Sequence, residues 1–365
     1  MDPVSLNLAP TPRKFNISFN GTAGEYFKIW IVNVALTVLT LGLYYPWAKV
    51  RTRRYFYANT ELDGHRFDYL ADPKNMLKGY LLIYSAIIIY VLGINQIIPI
   101  VIGGIMIFAL GILSPYFIAA SLRFWMHNTS YRNVRFHFNG TTGDAYGIFW
   151  GYGLLSYITL GILFPYMRMK ISDYVFGNVS LGKSPFFYKG EAGAFYKIYL
   201  TAFAIIVGFI IAVLIIFAAG TALFATAMEG SGLGEGAESA AIIGVIAVYL
   251  LYIPAFILIS GFIGAKLLQY NYSVLSLGYN DEITFESDIT VGRYIWVTFT
   301  SIIVTILTLG LASPWAKVRA TKMVVESISL ESKNGSLGSH EALAASDQSA
   351  TGEAASDAMD FDLGF

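Results

Sequence analysis

The chain has no cysteine, which excludes disulfides, thiolate metal ligands and a cysteine nucleophile while leaving the redox compartment open. Charge is scarce too: Asp, Glu, Lys and Arg make up 13% of 365 residues, about half the share usual in a soluble domain. The formal net charge is zero, so the electrostatic footprint of a nucleic-acid binder is missing and no nucleic-acid partner is expected. His65, His127, His137 and His340 show neither an HExxH pattern nor metal-ligand spacing, so no metal and no other cofactor is expected. Gly230, Gly232, Gly234 and Gly236 lack the GK[ST] ending of a phosphate loop and read as a flexible loop. No G-x-S-x-G elbow accompanies triad partners. Together these absences leave no recognisable catalytic residues, and a non-enzyme is expected.

What is present is apolar surface, 56% of the residues, more than a soluble core can bury. Runs approaching a bilayer's thickness lie at about 26–45, 77–94, 97–122, 145–166, 195–227, 240–265 and 294–313. The expected fold is therefore mainly α, a multi-pass transmembrane bundle of about seven membrane helices. The polar segment Met1–Lys14, with Pro3, Pro10 and Pro12, lacks the apolar core of a signal peptide and reads as a flexible N-terminus.

Short boxes punctuate these runs. Phe19-Asn20-Gly21-Thr22-Ala23-Gly24 precedes the first run and Phe138-Asn139-Gly140-Thr141-Thr142-Gly143 the fourth, and Phe187-Tyr188-Lys189-Gly190 stands before the fifth. Alternating aromatics followed by Asn-Gly or Lys-Gly predict a short strand ending in a tight turn, with glycine supplying a positive φ. At the other end of the runs, Thr37–Arg51 (TVLTLGLYYPWAKVR) and Thr305–Arg319 (TILTLGLASPWAKVR) agree at 12 of 15 positions. Weaker copies surround Gly111 with Pro115 and Gly161 with Pro165, and a doubtful one lies at Pro254. The spacing predicts internal repeats with small β-strand elements between helices, over units of about 15–69, 77–138, 134–188, 187–285 and 286–331. These units make up a membrane domain over 15–331.

The run from Phe19-Asn20-Gly21-Thr22 through Pro46-Trp47-Ala48-Lys49-Val50-Arg51 to Asn59-Thr60-Glu61-Leu62-Asp63-Gly64, closed by Pro314-Trp315-Ala316-Lys317-Val318-Arg319, resembles the YjgN family of bacterial inner membrane proteins. The resemblance covers nearly the whole chain. It implies a multi-pass protein of the bacterial cytoplasmic membrane, and it brings no catalytic residues with it.

Pro46, Pro165 and Pro314 are expected to break or kink their helices, with Gly42, Gly161 and Gly310 four residues earlier allowing a bend. A fixed interfacial turn accounts for every copy without invoking a hinge. Trp47 and Trp315 suit the membrane interface, and Lys49, Arg51, Lys317 and Arg319 favour the cytoplasmic side, which places the C-terminus there. One conflict stands: if the strands flanking the first run pair with each other, that run cannot cross the membrane once. It is either re-entrant near Leu41–Pro46 or its strands pair elsewhere. The segment 332–365 turns acidic and Ser/Ala/Gly-rich and is expected to be disordered, ending in a period-two pattern of Met359, Phe361, Leu363 and Phe365 that could add to a partner's sheet edge. The function expected is a scaffold or accessory protein docking a membrane or cytoplasmic partner. The alternative is a channel or transporter between units, favoured if Asn33, Asn95, Gln96 and Gln269 converge.

Overall fold

The computed structural model describes residues 11–95, 97, 99–229 and 236–337, with the side chains of 221–251 and 253 excepted. At its centre is a closed barrel of ten antiparallel strands, which overturns the expected seven-span helical bundle. The chain runs through β1 (Arg13–Phe19), α1 (Ala23–Leu39), α2 (Tyr45–Ala58), β2 (Thr60–Leu62), β3 (His65–Tyr69), α3 (Pro73–Ile94), α4 (Ile100–His127), β4 (Thr129–Tyr131) and β5 (Val134–Phe138). It continues through α5 (Thr142–Tyr146), a π-helical segment, α6 (Gly153–Ile158), α7 (Phe164–Gly177), β6 (Val179–Leu181), β7 (Ser184–Tyr188), α8 (Ala192–Glu229) and α9 (Gly236–Ser273). The last elements are β8 (Leu275–Leu277), β9 (Ile283–Ser287), α10 (Val291–Leu307), α11 (Ser313–Glu326) and β10 (Ile328–Ser332).

The pairing explains the layout. In each of five units a strand leads into a helical hairpin and returns as its own antiparallel neighbour: β1 with β2, β3 with β4, β5 with β6, β7 with β8, and β9 with β10. Successive units are joined by short turns, and β1 closes on β10 through pairs such as Phe15 with Leu330. All five helical hairpins therefore leave from one end of the barrel, and the strand-joining turns lie at the other. The turn Asp63-Gly64 has φ of 48° and 74°, and Arg132-Asn133 has 50° and 64°, the left-handed pair that a two-residue hairpin requires.

Side chains alternate across each short strand, so every second residue enters the lumen. Phe15, Leu62, Phe67, Tyr131, Phe136, Leu181, Phe186, Leu275, Ile283 and Leu330, one from each strand, belong to a single apolar cluster. Burying each such side chain contributes roughly 1.5–3 kcal/mol, more than the ~1 kcal/mol net of a ladder hydrogen bond. The fill, not the three-residue ladders, holds the barrel closed. At 3 to 7 residues the strands fall short of the 9–11 that a membrane-crossing strand needs, so the barrel stands outside the hydrocarbon.

Helices supply the membrane contact. Among the described residues, three helices are long and apolar enough to cross a bilayer: Pro73–Ile94, Ile100–His127 and Ala192–Gly220. α9, which packs along α8, is 38 residues long. The first, fourth and seventh apolar runs do not cross. Each reverses, at Thr40–Tyr44, Thr159–Leu163 and Thr308–Ala312, and its chain returns to the barrel end it left. The conflict over the first run resolves as the re-entrant case.

Candidate functional site: hairpin tips and a basic groove

The tips explain why Thr-Leu-Gly recurs. Leu41, Leu160 and Leu309 take φ of 49°, 52° and 50°, and Gly42, Gly161 and Gly310 take 92°, 88° and 90°, so two consecutive left-handed residues end each outgoing helix. The glycine N–H then donates back five residues, Gly42 to Thr37 O at 2.7 Å, Gly161 to Ser156 O at 2.7 Å and Gly310 to Thr305 O at 2.8 Å. The threonine bridges both helices. Thr40 Oγ1 donates to Leu36 O at 2.7 Å and accepts from the Tyr44 N–H at 3.0 Å, and Thr159 and Thr308 repeat both bonds. The next helix then starts at proline. Pro46, Pro165 and Pro314 sit in its first turn, where a missing N–H costs nothing, so the expected mid-helix kink is corrected to a helix start.

Backbone groups at these tips are thus satisfied within the turn, the condition for lying in lipid. Their side chains face outward. Leu160 and Leu309 are each 94% exposed, and Val38, Leu39, Leu41 and Leu307 are exposed beside them. Apolar side chains this bare, at the end of a hairpin with no unpaired N–H in its turn, mark a lipid contact.

Two of the weaker boxes do not turn, while the one at Gly161 and Pro165 does. Pro115 and Pro254 lie inside α4 and α9, which continue past them. Ala109 stands where the tips carry threonine, and Leu250 where they carry glycine, so neither copy can build the bridge.

At the roots the glycines are needed for a different reason than expected. Gly21 and Gly140 do not take a positive φ. A Cβ on Gly21 would stand 2.6 Å from Phe19 Cζ, and one on Gly140 2.5 Å from Phe138 Cε1 and 2.8 Å from Tyr174 Cε2. The ring two residues back folds over the glycine and seals the barrel's helical end. Gly24 and Gly143 meet no such obstacle. The residue after the first strand donates to the residue closing the second helix in every unit: Asn20 to Asn59 O and Asn139 to Asn178 O at 2.8 Å, with Leu70 to Asn128, Lys189 to Val274 and Asp288 to Ser327 equivalent. The Asn20 amide also reaches Glu61 at 3.3 Å, and Asn139 reaches Ser180 at 3.4 Å.

Sequence reasoning missed the tyrosines that cap these roots. Tyr55 Oη accepts from the Thr22 N–H at 2.8 Å, Tyr174 Oη donates to Thr141 O at 2.9 Å, and Tyr270 Oη accepts from the Glu191 N–H at 2.7 Å. Each stands five residues before the start of its strand, a spacing visible as Tyr-x-x-x-Asn in two of the three. Burial pushes the Tyr174 phenol up to about 12.

Cations gather below the tips. Lys49, Arg168 and Lys317 each stand three residues after the tip proline. Lys49 and Lys317 meet across the seam between the first and last units, with Arg53, on a groove of about 570 Å3 also lined by Trp30, Asn33, Val34 and Val38. Lys317 Nζ lies 5.8 Å from the Tyr26 ring centre and 5.3 Å from that of Phe56. Burial, and secondarily the Arg53 charge, lower the Lys317 pKa. Trp47 stacks on Tyr44 at 6.0 Å, and Arg319 covers the Trp315 ring at 5.1 Å. Arg51 is exposed.

The polar residues named for a transport path stay apart. Asn33 donates to Ala48 O within the first hairpin, Asn95 caps α3 through Val91 O, and Gln269 binds Ile289 O at a root; Gln96 and the tail residues Met359, Phe361, Leu363 and Phe365 lie outside the described residues. Among the described residues no group of three or more His, Asp or Glu could hold a metal.

A filled barrel carrying re-entrant and membrane-length helical hairpins on one end is the architecture of a membrane-associated protein. The chain belongs to the family described as bacterial protein of unknown function (DUF898), whose model matches residues 14–358. It is 28% identical over 341 residues to the inner membrane protein YjgN of Salmonella typhimurium, covering 82% of this chain and 84% of that one. It is 34% identical over 146 residues to the inner membrane protein YjgN of Escherichia coli strain K12, covering 40% of this chain and 36% of that one. No solved structure matches.

Proposed function

We propose that the chain is a non-enzymatic scaffold of the bacterial inner membrane, presenting its barrel to a membrane or cytoplasmic protein partner. One observation carries this reading: side chains from all ten strands fill the lumen, so the barrel offers surfaces, not a conduit. The inner-membrane site draws on the printed names of the relatives. Orientation draws on charge: Lys49, Arg51, Arg53, Arg54, Lys317, Arg319 and Lys322 all follow a tip and lie on its barrel side, which favours a cytoplasmic barrel and a cytoplasmic C-terminus. The five units with their shared boxes read as decayed copies of one ancestral repeat.

Crosslinking in native membranes, with and without residues 356–365, tests the scaffold. The expected result is one crosslinked species through the barrel that weakens when the tail is removed. A solute or ion flux through protein reconstituted in liposomes, with no crosslinked partner, would overturn it.

A further inference from the structure

We propose that the groove between the first and last units binds one anionic phospholipid, its phosphodiester held by Lys49, Arg53 and Lys317 and a headgroup hydroxyl donated to Asn33 Oδ1. The residues lining the groove include three cations and no carboxylate. Like charges this close raise one another's cost, and an anion seated among them relieves it.

Two of the three cations are fixed in place before any ligand arrives. Arg53 donates to Tyr69 Oη at 2.7 Å and lies over the Tyr69 and Trp125 rings at 5.3 and 5.4 Å, while Lys317 rests on Tyr26 and Phe56. Asn33 is a second, independent pointer. Its side chain is 5% exposed and its Nδ2 donates to Ala48 O at 3.2 Å, yet its Oδ1 is buried with no hydrogen-bond partner. A buried acceptor in that state is unfavourable unless an occupant of the groove supplies a donor.

Height along the hairpin selects a lipid over a soluble anion. Lys49 and Lys317 stand three residues, about 4.5 Å, beyond the prolines that begin α2 and α11. Trp30, Val34 and Val38 continue the groove along α1 toward the bare leucine tip. With the tips in hydrocarbon, the cations fall at the phosphate plane and this apolar wall runs beside the acyl chains. The site also uses the most similar pair of boxes in the chain: Lys49 and Lys317 are the same position of PWAKVR, brought together only because β1 closes on β10. The inference rests on the membrane setting of the tips and not on the scaffold reading.

The test is lipid retention by the purified full chain in detergent, measured by native mass spectrometry against added phosphatidylglycerol, phosphatidylmethanol, phosphatidylcholine and inorganic phosphate. The expected order is phosphatidylglycerol, then phosphatidylmethanol, then phosphatidylcholine, with one tightly held lipid and no displacement by millimolar phosphate. Substituting Lys49→Gln and Lys317→Gln together removes two cations, each contributing about fivefold at an anionic surface, so retention falls about 25-fold. Equal retention of phosphatidylcholine and phosphatidylglycerol by the unaltered protein overturns the anion site and needs no variant. Equal retention of phosphatidylglycerol and phosphatidylmethanol overturns the Asn33 contact, and displacement by phosphate overturns the lipid.

Discussion

Two Gly→Ala substitutions three residues apart are expected to act in opposite directions. At Gly140 the new methyl would stand 2.5 Å from Phe138 Cε1 and Cζ and 2.8 Å from Tyr174 Cε2. Neither ring can retreat freely. Phe138 and Tyr174 are 6% and 3% exposed, pack edge to face at 5.2 Å, and Tyr174 is tied to Thr141 O. Overpacking of this kind costs about 1–3 kcal/mol, and moving Tyr174 aside forfeits a hydrogen bond of about 1 kcal/mol more. At Gly143, in the first turn of α5, the nearest atom is Thr141 Oγ1 at 3.8 Å, an ordinary contact. There alanine gains up to about 1 kcal/mol from helix propensity. Denaturant unfolding of the purified protein in detergent should separate the two variants by about 2–5 kcal/mol, Gly140→Ala below the parent and Gly143→Ala at or above it. Equal effects within about 0.5 kcal/mol would refute the ring-over-glycine seal.

The tips make a second expectation: Gly161→Ala meets open space at φ +88°, so it loses only the left-handed penalty of about 1–2 kcal/mol, read in the same assay. Thr308→Val removes a donor to Val304 O and an acceptor for the Ala312 N–H, and hydrogen exchange at Ala312 should rise while the barrel amides stay protected. Tyr174 makes an alkaline expectation. Its phenol holds its proton up to about 12 in the folded state against 10.0 unfolded, so its contribution is complete below about pH 10 and is lost as pH rises through about 12. Tyr174→Phe should flatten the stability profile in that window. Asp281 shows the reverse sign, because hydrogen bonds from Lys189 at 2.6 Å and Ser276 at 2.6 Å hold its carboxyl below the ordinary 3.8. Its contribution is present above about pH 4 and lost as pH falls through the lowered value. Asp281→Asn should remove that acid dependence from hydrogen exchange in the β8–β9 turn.

Local chemistry was legible in the sequence where one residue type answers one backbone demand. Thr-Leu-Gly followed by proline marks each reversal, and its loss of threonine at Ala109 or of glycine at Leu250 marks a helix that continues. The barrel was not legible, because β2, β4, β6 and β8 are three residues long, too short for a period-two pattern to register. Nor does any local signal pair Arg13 with Ser332; that contact exists because five units of similar width close a ring. The apolar runs at 26–45, 145–166 and 294–313 passed for crossings since hydropathy does not see the chain reverse at the end of each run. Asn20-Gly21 passed for a turn because glycine is demanded equally by a positive φ and by a ring lying over it. The groove shared by Lys49 and Lys317 needed the barrel's closure to appear at all.

The short hairpins return to the membrane face they left, and their labelling pattern follows from that. With no native cysteine, single cysteines at Asn20, Leu41 and Asn59 can be labelled in sealed vesicles of both orientations by a membrane-impermeant maleimide. The structure requires Asn20→Cys and Asn59→Cys to label from the same side and Leu41→Cys to stay protected from both. Labelling of Asn20→Cys and Asn59→Cys from opposite sides would contradict it.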